Sequence, residues 1–358
     1  MYKSPNLKSK LFKLSLIYAF FLMIGSFPLS GFSQESKPAA SEKRYDPKDD
    51  IMEHIADKHE WHLIGTSYIP LPVILYTDKG IELFSSGNLQ PAGTLYKGRH
   101  YTYKLVGNKI EAVDDAGKLD EAANKKIWDF SITSNVASMW LAMAVLLVLF
   151  LSVSSTYKKR VGKAPKGLQS FMEPLVVFIR DDVARPNIGV KYVRFMPLLL
   201  TIFFFILFNN LAGIIPVFPA GYNLTGNIAV TFTLAIIIFL VVNVNGNKNY
   251  WKHIFLPDVP FWILPIMWIV EISGIFSKPL ALMIRLFANM TAGHIVVLSL
   301  ISLIFIFNTL WVSPVSVAFV VFIDAIEILV AFLQAYIFTI LSALFIGMAV
   351  EEHHQEVI

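Results

Sequence analysis

The chain has 358 residues, of which 55% are hydrophobic and only 16% are charged, a balance that excludes an ordinary soluble domain and predicts a membrane protein. The formal net charge is +4, but the basic residues stand beside apolar runs and form no face of their own, so we expect no nucleic acid partner. The absence of cysteine excludes a disulfide framework and a thiolate metal site.

The first 33 residues have the pattern of a secretory signal peptide. Four lysines precede an apolar stretch over residues 14–24, and small residues follow it up to Ser33. The alternative is an uncleaved signal anchor. Either version places residue 34 outside the cell membrane.

Residues 34–134 are predicted to form an external soluble segment, because charges of both signs alternate there and no apolar run is long enough to span a bilayer. A short helix is expected over residues 51–61. Two hairpins are expected from turn residues between apolar runs, one around Asp78-Lys79-Gly80 and one around Gly107-Asn108. This segment is therefore a small α/β or β-hairpin unit.

The pattern of residues 135–358 predicts an all-α polytopic membrane domain. Five long apolar segments occupy residues 137–157, 195–217, 228–244, 261–307 and 315–350. A bilayer core is about 30 Å thick and a helix rises about 1.5 Å per residue, so the last two segments are too long for perpendicular spans. We expect them to be strongly tilted, broken or partly in the membrane plane.

The orientation follows from basic residues in the loops. Five of them come directly after the first span, between Lys158 and Lys166, and Lys248 and Lys252 follow the third. Basic loops stay inside, so the external segment lies outside and the C-terminus is cytoplasmic.

No catalytic motif is present. The chain has no Gly-rich phosphate loop, so we expect no ATP site and no cofactor. His54, His59 and His62 do not all fall on one helical face, and a solvated face explains them better than a metal site.

Polar residues inside apolar segments are the functional candidates, because such groups are costly in a membrane. They fall in the last two segments: Glu271, Lys278, Arg285, Asn289, His294, Asp324, Glu327 and Gln334. An arginine midway along an apolar run stays protonated, so it must face water or a carboxylate. The alternative at this point is a structural ion pair with Glu271 or Glu327 in the same chain.

Three stretches resemble the a subunits of F-type ATP synthases. They are SKP at 277–279 with RLFANMTAGH at 285–294, LQAYIF at 333–338 with a helix that ends in EEH at 351–353, and residues 196–216. The resemblance covers roughly residues 135–354 in the family's order and spacing. The external segment has no counterpart in the minimal family pattern.

The resemblance implies a non-catalytic, proton-conducting stator subunit in a bacterial plasma membrane. Its partners would be a rotor ring of small two-helix subunits, peripheral-stalk b subunits, the rest of the complex and the bilayer. Arg285 matches the family's essential arginine, Asn289 its nearby polar partner, and Gln334 the glutamine that faces it. Two half-channels would lead protons to and from a rotor carboxylate, with Arg285 between them.

Many bacterial members carry an acid at the position of His294 and an imidazole at the position of Glu327, whereas this chain has the two types exchanged. The exchange keeps one acid and one imidazole, which suggests that the two positions cooperate. A further departure leaves Asn210 and Asn227 where the family often has an acidic residue. At about 100° per residue, Arg285 and Asn289 share a side of their helix, whereas His294 points away. We assign His294, Asp324 and Glu327 to proton access from outside, and place Glu271 in the pathway as well.

The rival interpretation is a secondary transporter or an ion channel that uses Arg285. A transporter normally has two related halves. No repeat is visible in residues 135–350, so this alternative explains the sequence less well.

Overall fold

The computed structural model describes residues 57–62, 68–91, 93–114, 117–215, 221–257, 259–307 and 311–351. All of them belong to one compact unit, Asp46–Ile358. The predicted signal peptide lies outside the described residues.

The predicted external segment, which the structure describes between residues 57 and 130 and which we call the external domain, contains three small antiparallel sheets. Strand β1 (Glu60–His62) pairs with β2 (Tyr68–Pro70). Strands β3 (Pro72–Thr77), β4 (Gly80–Ser85) and β8 (Trp128–Asp129) form a sheet in the order β4-β3-β8. Strands β5 (Tyr96–Lys97), β6 (Thr102–Val106) and β7 (Lys109–Val113) form the third, and helix α1 (Glu121–Asn124) precedes β8.

Both predicted hairpins are confirmed. Strands β3 and β4 meet at Thr77 and Gly80, and β6 and β7 meet at Val106 and Lys109. Gly107 has a φ of 60°, a conformation that glycine adopts at little cost, and this explains its place in the tight turn. The alternating apolar residues Val73, Leu75, Phe84, Tyr103 and Ile110 point into one core between the sheets.

The predicted helix over residues 51–61 is wrong at its C-terminal end. Trp61 lies in β1, opposite Ile69, and Lys58 and His59 are not helical. Residues 51–56 lie outside the described residues. Long-range strand pairing supplies the backbone hydrogen bonds that a local helix would have supplied, and sequence periodicity contains no information about that pairing.

The membrane domain is helical, and the five predicted segments are confirmed. The helices are α2 (Ser134–Lys159), α3 (Leu168–Phe178), α4 (Arg185–Ile188), α5 (Tyr192–Ile214), α6 (Ile228–Val244), α7 (Lys248–Phe255), α8 (Leu264–Phe307) and α9 (Val312–Val350). A π-helical stretch, Ile179–Ala184, joins α3 to α4. No element was predicted between the first two spans, where α3 and α4 lie.

Four helical segments of the described residues are long and apolar enough to cross a membrane: α2, the run from α3 to α5, α8 and α9. Helices α6 and α7 make a fifth if the pair, bent by 101°, counts as one span. Helix α8 has 44 residues. At about 1.5 Å per residue it is roughly twice as long as the bilayer core is thick, so it is too long for a perpendicular span.

Helices α5, α8 and α9 pack closely because α9 is lined with small residues. Ala331, Ala335, Ser342 and Ala343 of α9 are fully or nearly fully buried. Helix α9 also packs against α4: at Gly347 a Cβ atom would overlap the backbone carbonyl of Asn187, so the two backbones approach directly there. Small residues allow this close approach in a membrane, where helices gain from packing rather than from exclusion of water.

Candidate functional site

Arg285 lies near the middle of α8, and its side chain is exposed. Among the described residues, no carboxylate comes within ion-pair distance of its guanidinium. The alternative of an internal ion pair with Glu271 or Glu327 is therefore not what the structure contains. Asn289, one turn later, is exposed as well, as the helical spacing predicts.

Gln334 on α9 is buried and reaches α8 at the level of Arg285. Its Nε2 donates a hydrogen bond of 2.8 Å to the backbone carbonyl oxygen of Arg285. The glutamine thus contacts the arginine's backbone and leaves the guanidinium unengaged. A buried side-chain bond between two packed helices fixes their register at this level.

His294 lies on the other side of α8 and is half-buried. Its Nδ1 lies 3.1 Å from the carbonyl oxygen of Met290, which accepts the ring N–H. Its Cε1 would be 3.8 Å from a Cβ atom at Gly213 of α5. The imidazole therefore sits between α8 and α5, away from the exposed side that holds Arg285.

Glu327 and Asp324 lie one turn apart on α9. The Oε1 atom of Glu327 is buried and has no hydrogen-bond partner among the described residues. It lies so close to Gly293 that a Cβ atom there would overlap it. A buried carboxylate oxygen without a partner is costly, so this position favours a proton or a water molecule.

Asp324 precedes Glu327 by one turn of α9. Glu327 packs against Gly293, the residue that precedes His294 on α8, so the structure puts the acid of one helix at the level of the imidazole of the other. Cooperation itself stays a prediction.

Residues 221–227, which we call the outer loop because the predicted orientation places them outside, pack against α5 and α8 near His294. Thr225 is buried, and its Oγ1 donates a hydrogen bond of 2.6 Å to Oδ1 of Asn210, whose Nδ2 is buried with no partner among the described residues. Asn223 donates to the carbonyl of Met290, and Thr291 donates to the carbonyl of Gly226. Asn210 thus belongs to a polar cluster that links α5, the outer loop and α8, and it lies one turn before Gly213, against which His294 packs.

Three members of this cluster were not predicted from the sequence: Asn223, Thr225 and Thr291. The signal that was available is the concentration of amides and hydroxyls in a short loop without charge, between two apolar helices. Asn227, the other amide noted there, has a different position. Its Oδ1 accepts a hydrogen bond from the Ala229 amide and caps α6.

Glu271 lies apart from this group. Its Oε1 is 3.7 Å from Nδ1 of His253 on α7. Arg285 follows 14 residues later on the same helix, a distance of about 21 Å along the axis. The structure therefore places Glu327 beside Gly293 and His294 on the C-terminal side of Arg285, joins Gln334 to Arg285 itself, and leaves Glu271 toward the N-terminal end of α8. Asn210 is bonded to the loop over residues 221–227.

Two family models match separate parts of the chain. That of the ATP synthase A chain matches residues 136–347. A family described only as a domain of unknown function matches residues 50–130. The division between the two matches agrees with the change from strands to long helices.

Several curated relatives are similar over the membrane part. ATP synthase subunit a of Chloroherpeton thalassium is 55% identical over 236 residues, which are 64% of this chain and 70% of that protein. ATP synthase subunit a 2 of Prosthecochloris aestuarii is 51% identical over 237 residues, 64% of this chain and 72% of that protein. ATP synthase subunit a of an Anaeromyxobacter species is 44% identical over 238 residues, 64% of this chain and 56% of that protein.

Proposed function

This chain belongs to the ATP synthase A chain family, and we propose that it acts as the proton-conducting stator subunit in the membrane sector of an F-type ATP synthase. Its partners are the other subunits of that complex. Within the complex, we assign it contacts with a rotor ring of small two-helix subunits and with peripheral-stalk b subunits. The proposal includes the division of the chain into a signal peptide (1–33), an external segment (34–134) and a membrane domain (135–358).

We propose a bacterial plasma membrane as its location, which the bacterial origin of the relatives supports. The basic residues after α2 and in α7 support the orientation, with the external domain outside and the C-terminus in the cytoplasm.

The observation that carries the proposal is the exposed, unpaired position of Arg285 in the middle of α8. A guanidinium does not give up its proton at any physiological pH, so a membrane segment that presents one needs an anion or water beside it. No carboxylate of the described residues fills that place. A carboxylate on a neighbouring subunit that passes this position would complete the pair and would leave again as the rotor turns.

The rotor carboxylate has to change its charge on each passage. Facing lipid, it must be protonated, because an ionised carboxylate is costly there. Facing Arg285, it favours the ionised form, because a nearby positive charge lowers the pKa of an acid. The same positive charge repels hydronium, so it separates the two aqueous routes and prevents a direct leak.

The group of polar residues around His294 is the proposed route for protons from outside. His294 and Glu327 lie in the half of α8 that the outer loop contacts, Asn210 is bonded to that loop, and Asp324 precedes Glu327 by one turn of α9. Groups that accept or donate protons can pass a proton to water and on to the rotor carboxylate. Glu271, beside His253 at the opposite end, is assigned to the inner side.

Gln334 is proposed to set the position of Arg285. Its hydrogen bond to the Arg285 carbonyl holds α8 against α9 at the level where the rotor carboxylate passes. Each charge moved across 100 mV supplies only about 2.3 kcal/mol. The attraction between Arg285 and the carboxylate must therefore be weakened by water, or the rotor would stop there.

The test is Arg285→Ala in the assembled complex. We expect ATP synthesis and ATP-driven proton pumping to fall to background, while the subunits still co-purify, because the exposed side chain contributes nothing to the helix packing. Arg285→Lys should rescue poorly, since a compact ammonium lacks the planar fork. Arg160→Ala, at the end of α2, is the matched control and should pump normally. Normal pumping by an assembled Arg285→Ala complex would refute the proposed function.

A further inference from the structure

The external domain is bonded directly to the start of the first membrane helix. Oδ1 of Asp57 accepts hydrogen bonds of 3.2 Å from the Ser134 hydroxyl and from the Asn135 amide. The amide of Ser134 donates a bond of 2.8 Å to the carbonyl of Lys58. Asp57 therefore caps the N-terminus of α2, where a carboxylate is favoured.

The same segment is tied to strand β8. Nε2 of His59, a buried ring, donates to Oδ2 of Asp129 over 3.2 Å. Trp61 follows two residues later and pairs with Ile69 in the β1–β2 sheet. Because Asp57 and Lys58 are bonded to the start of α2 and Trp61 itself is paired with Ile69, the backbone at Trp61 is held in place relative to α2.

The ring of Trp61 contacts the outer loop. It meets Tyr222 edge to face, with the ring centroids 6.0 Å apart and the planes at 66°. The carbonyl oxygen of Tyr222 lies 3.3 Å from the place of a Cβ atom at Gly213, the glycine against which His294 packs. The external domain thus reaches, through one aromatic contact, the loop that covers the proposed proton route.

The outer loop is held firmly on one side and weakly on the other. Toward α5 it has the bond of 2.6 Å from Thr225 to Asn210 and the bond of 2.9 Å from the Gly221 amide to the Ala212 carbonyl. Toward α8, the bonds from Asn223 to Met290 and from Thr291 to Gly226 are both 3.4 Å long. Bonds of that length are weak, so they do not by themselves fix the width of the gap between the outer loop and α8, and other contacts of the loop contribute to it.

We propose that the external domain braces the outer loop and that Trp61 is the positioning residue that keeps the proton entrance beside His294 at its working width. This inference rests on the proposed function, because the entrance has a task only if protons pass His294. Trp61 acts through Tyr222 and the loop. An aromatic edge-to-face pair shifts an equilibrium by roughly 2- to 12-fold, so its loss opens the loop more often without releasing it.

The test uses the absence of cysteine from the chain. Thr291→Cys introduces a thiol of similar size on α8 at the gap beneath the outer loop, and a membrane-impermeant maleimide applied from outside measures how often that gap opens. In the assembled complex, Trp61→Ala should speed the labelling of Thr291→Cys by about 2- to 12-fold. Trp61→Phe keeps an aromatic edge and should stay within about twofold of the parent.

Two further variants separate this role from a general effect on the external domain. Trp128→Ala removes an exposed tryptophan from another sheet of the same domain and should leave the labelling rate unchanged. Tyr222→Ala removes the same contact from the membrane side, so it should match Trp61→Ala. The double variant Trp61→Ala with Tyr222→Ala should label no faster than either single one. If Trp61→Ala does not assemble, Tyr222→Ala tests the contact alone.

The brace is refuted if Trp61→Ala and Tyr222→Ala label like the parent, if their effects add, or if Trp128→Ala labels as fast as they do. Arg285→Ala, assayed for pumping in the same membranes, tests the proposed function separately. Pumping lost in Arg285→Ala together with parental labelling in Trp61→Ala would remove the brace and leave the proposed function standing. Normal pumping in Arg285→Ala would refute the proposed function whatever Trp61 does.

Discussion

At the scale of single residues, two ionisable groups of this membrane domain, Arg285 and Glu327, have different surroundings. Arg285 keeps its charge and is exposed, so its partner must come from outside the described residues of the chain. Glu327 is packed against a glycine, with one oxygen buried and unpartnered among those residues. The first arrangement suits a fixed charge, and the second suits a group that gains and loses a proton.

Gly293→Ala should impair proton transfer while leaving the complex assembled. The new Cβ atom would overlap the Glu327 carboxylate, the far end of a flexible side chain, so that side chain can move and the helices can stay in place. A misplaced proton-transfer group lowers a rate by about 10- to 100-fold. ATP-driven pumping in membrane vesicles, with the amount of complex matched by immunoblot, measures the effect.

Gly274→Ala is the matched control for this change. It lies on the same helix, and a Cβ atom there would meet nothing within 4 Å. Replacing glycine by alanine in a helix is favourable by itself, by roughly 0.5–1 kcal/mol. Equal pumping by the two variants would mean that the position of Glu327 does not matter for transfer.

At the scale of elements, the last strand of the external domain leads into the first membrane helix. Strand β8 ends at Asp129 and α2 begins at Ser134. The amides of Phe130 and Ile132 still donate to the carbonyls of Ile74 and Pro72, so the connection remains paired with β3 almost to the helix. A connection that is hydrogen-bonded to β3 holds the external domain at a more constant position relative to α2 than a flexible linker would. The brace through Trp61 depends on that constant position.

The attachment of residues 57–62 to β8 should weaken in acid. Burial by itself raises the pKa of Asp129, but hydrogen bonds from His59 and Ser131 outweigh burial, so the pKa of Asp129 lies below its usual value. A lowered pKa means that the bond stabilises the fold above the unfolded pKa of about 3.9. That stability is lost as the pH falls through the folded pKa.

The measurement is the rate at which an external protease cleaves the domain in spheroplasts, over a pH series from about 6 to 3. Cleavage should accelerate toward the acid end in the parent. Asp129→Asn should already be faster at neutral pH and should change less with pH. Glu121→Gln, at an exposed position of α1, should follow the parent, and identical profiles for all three proteins would contradict the assignment.

At the scale of the whole molecule, the proposed orientation decides which end of the helices receives protons from outside. The outer loop, the end of α8 and the start of α9 would face outside together with the external domain. The basic residues that follow α2 would face the cytoplasm.

The orientation can be tested with one cysteine at a time in a chain that has none. Asn88→Cys is exposed on the external domain and should react with a membrane-impermeant thiol reagent applied to spheroplasts. The neighbouring Ser86 is less suitable, because it is buried and accepts a hydrogen bond from the Leu71 amide. Lys163→Cys, exposed after α2, should react only after the membrane is permeabilised. The opposite pattern would reverse the assignment of the two proton routes.

Local patterns in the sequence were sufficient for the spans and the hairpins. Five apolar runs correspond to α2, α5, α6, α8 and α9, because a bilayer requires a long apolar stretch with its backbone hydrogen bonds satisfied internally in every segment that crosses it. The turns at Asp78-Lys79 and Gly107-Asn108 fix their hairpins because only two residues separate the strands. The end of the predicted helix over residues 51–61 was wrong, since Trp61 gains its partners from a distant strand.

The sequence by itself thus determined which residues are costly in the membrane and on which side of a helix each lies, because both follow from residue type and from the helical period. It placed Arg285 and Asn289 together and His294 apart. Only the tertiary structure decided which groups from different helices meet: Glu327 with Gly293, Gln334 with the Arg285 carbonyl, Asn210 with Thr225, and Trp61 with Tyr222. Such contacts depend on how helices and loops far apart in the chain pack against each other, and no local periodicity encodes that packing.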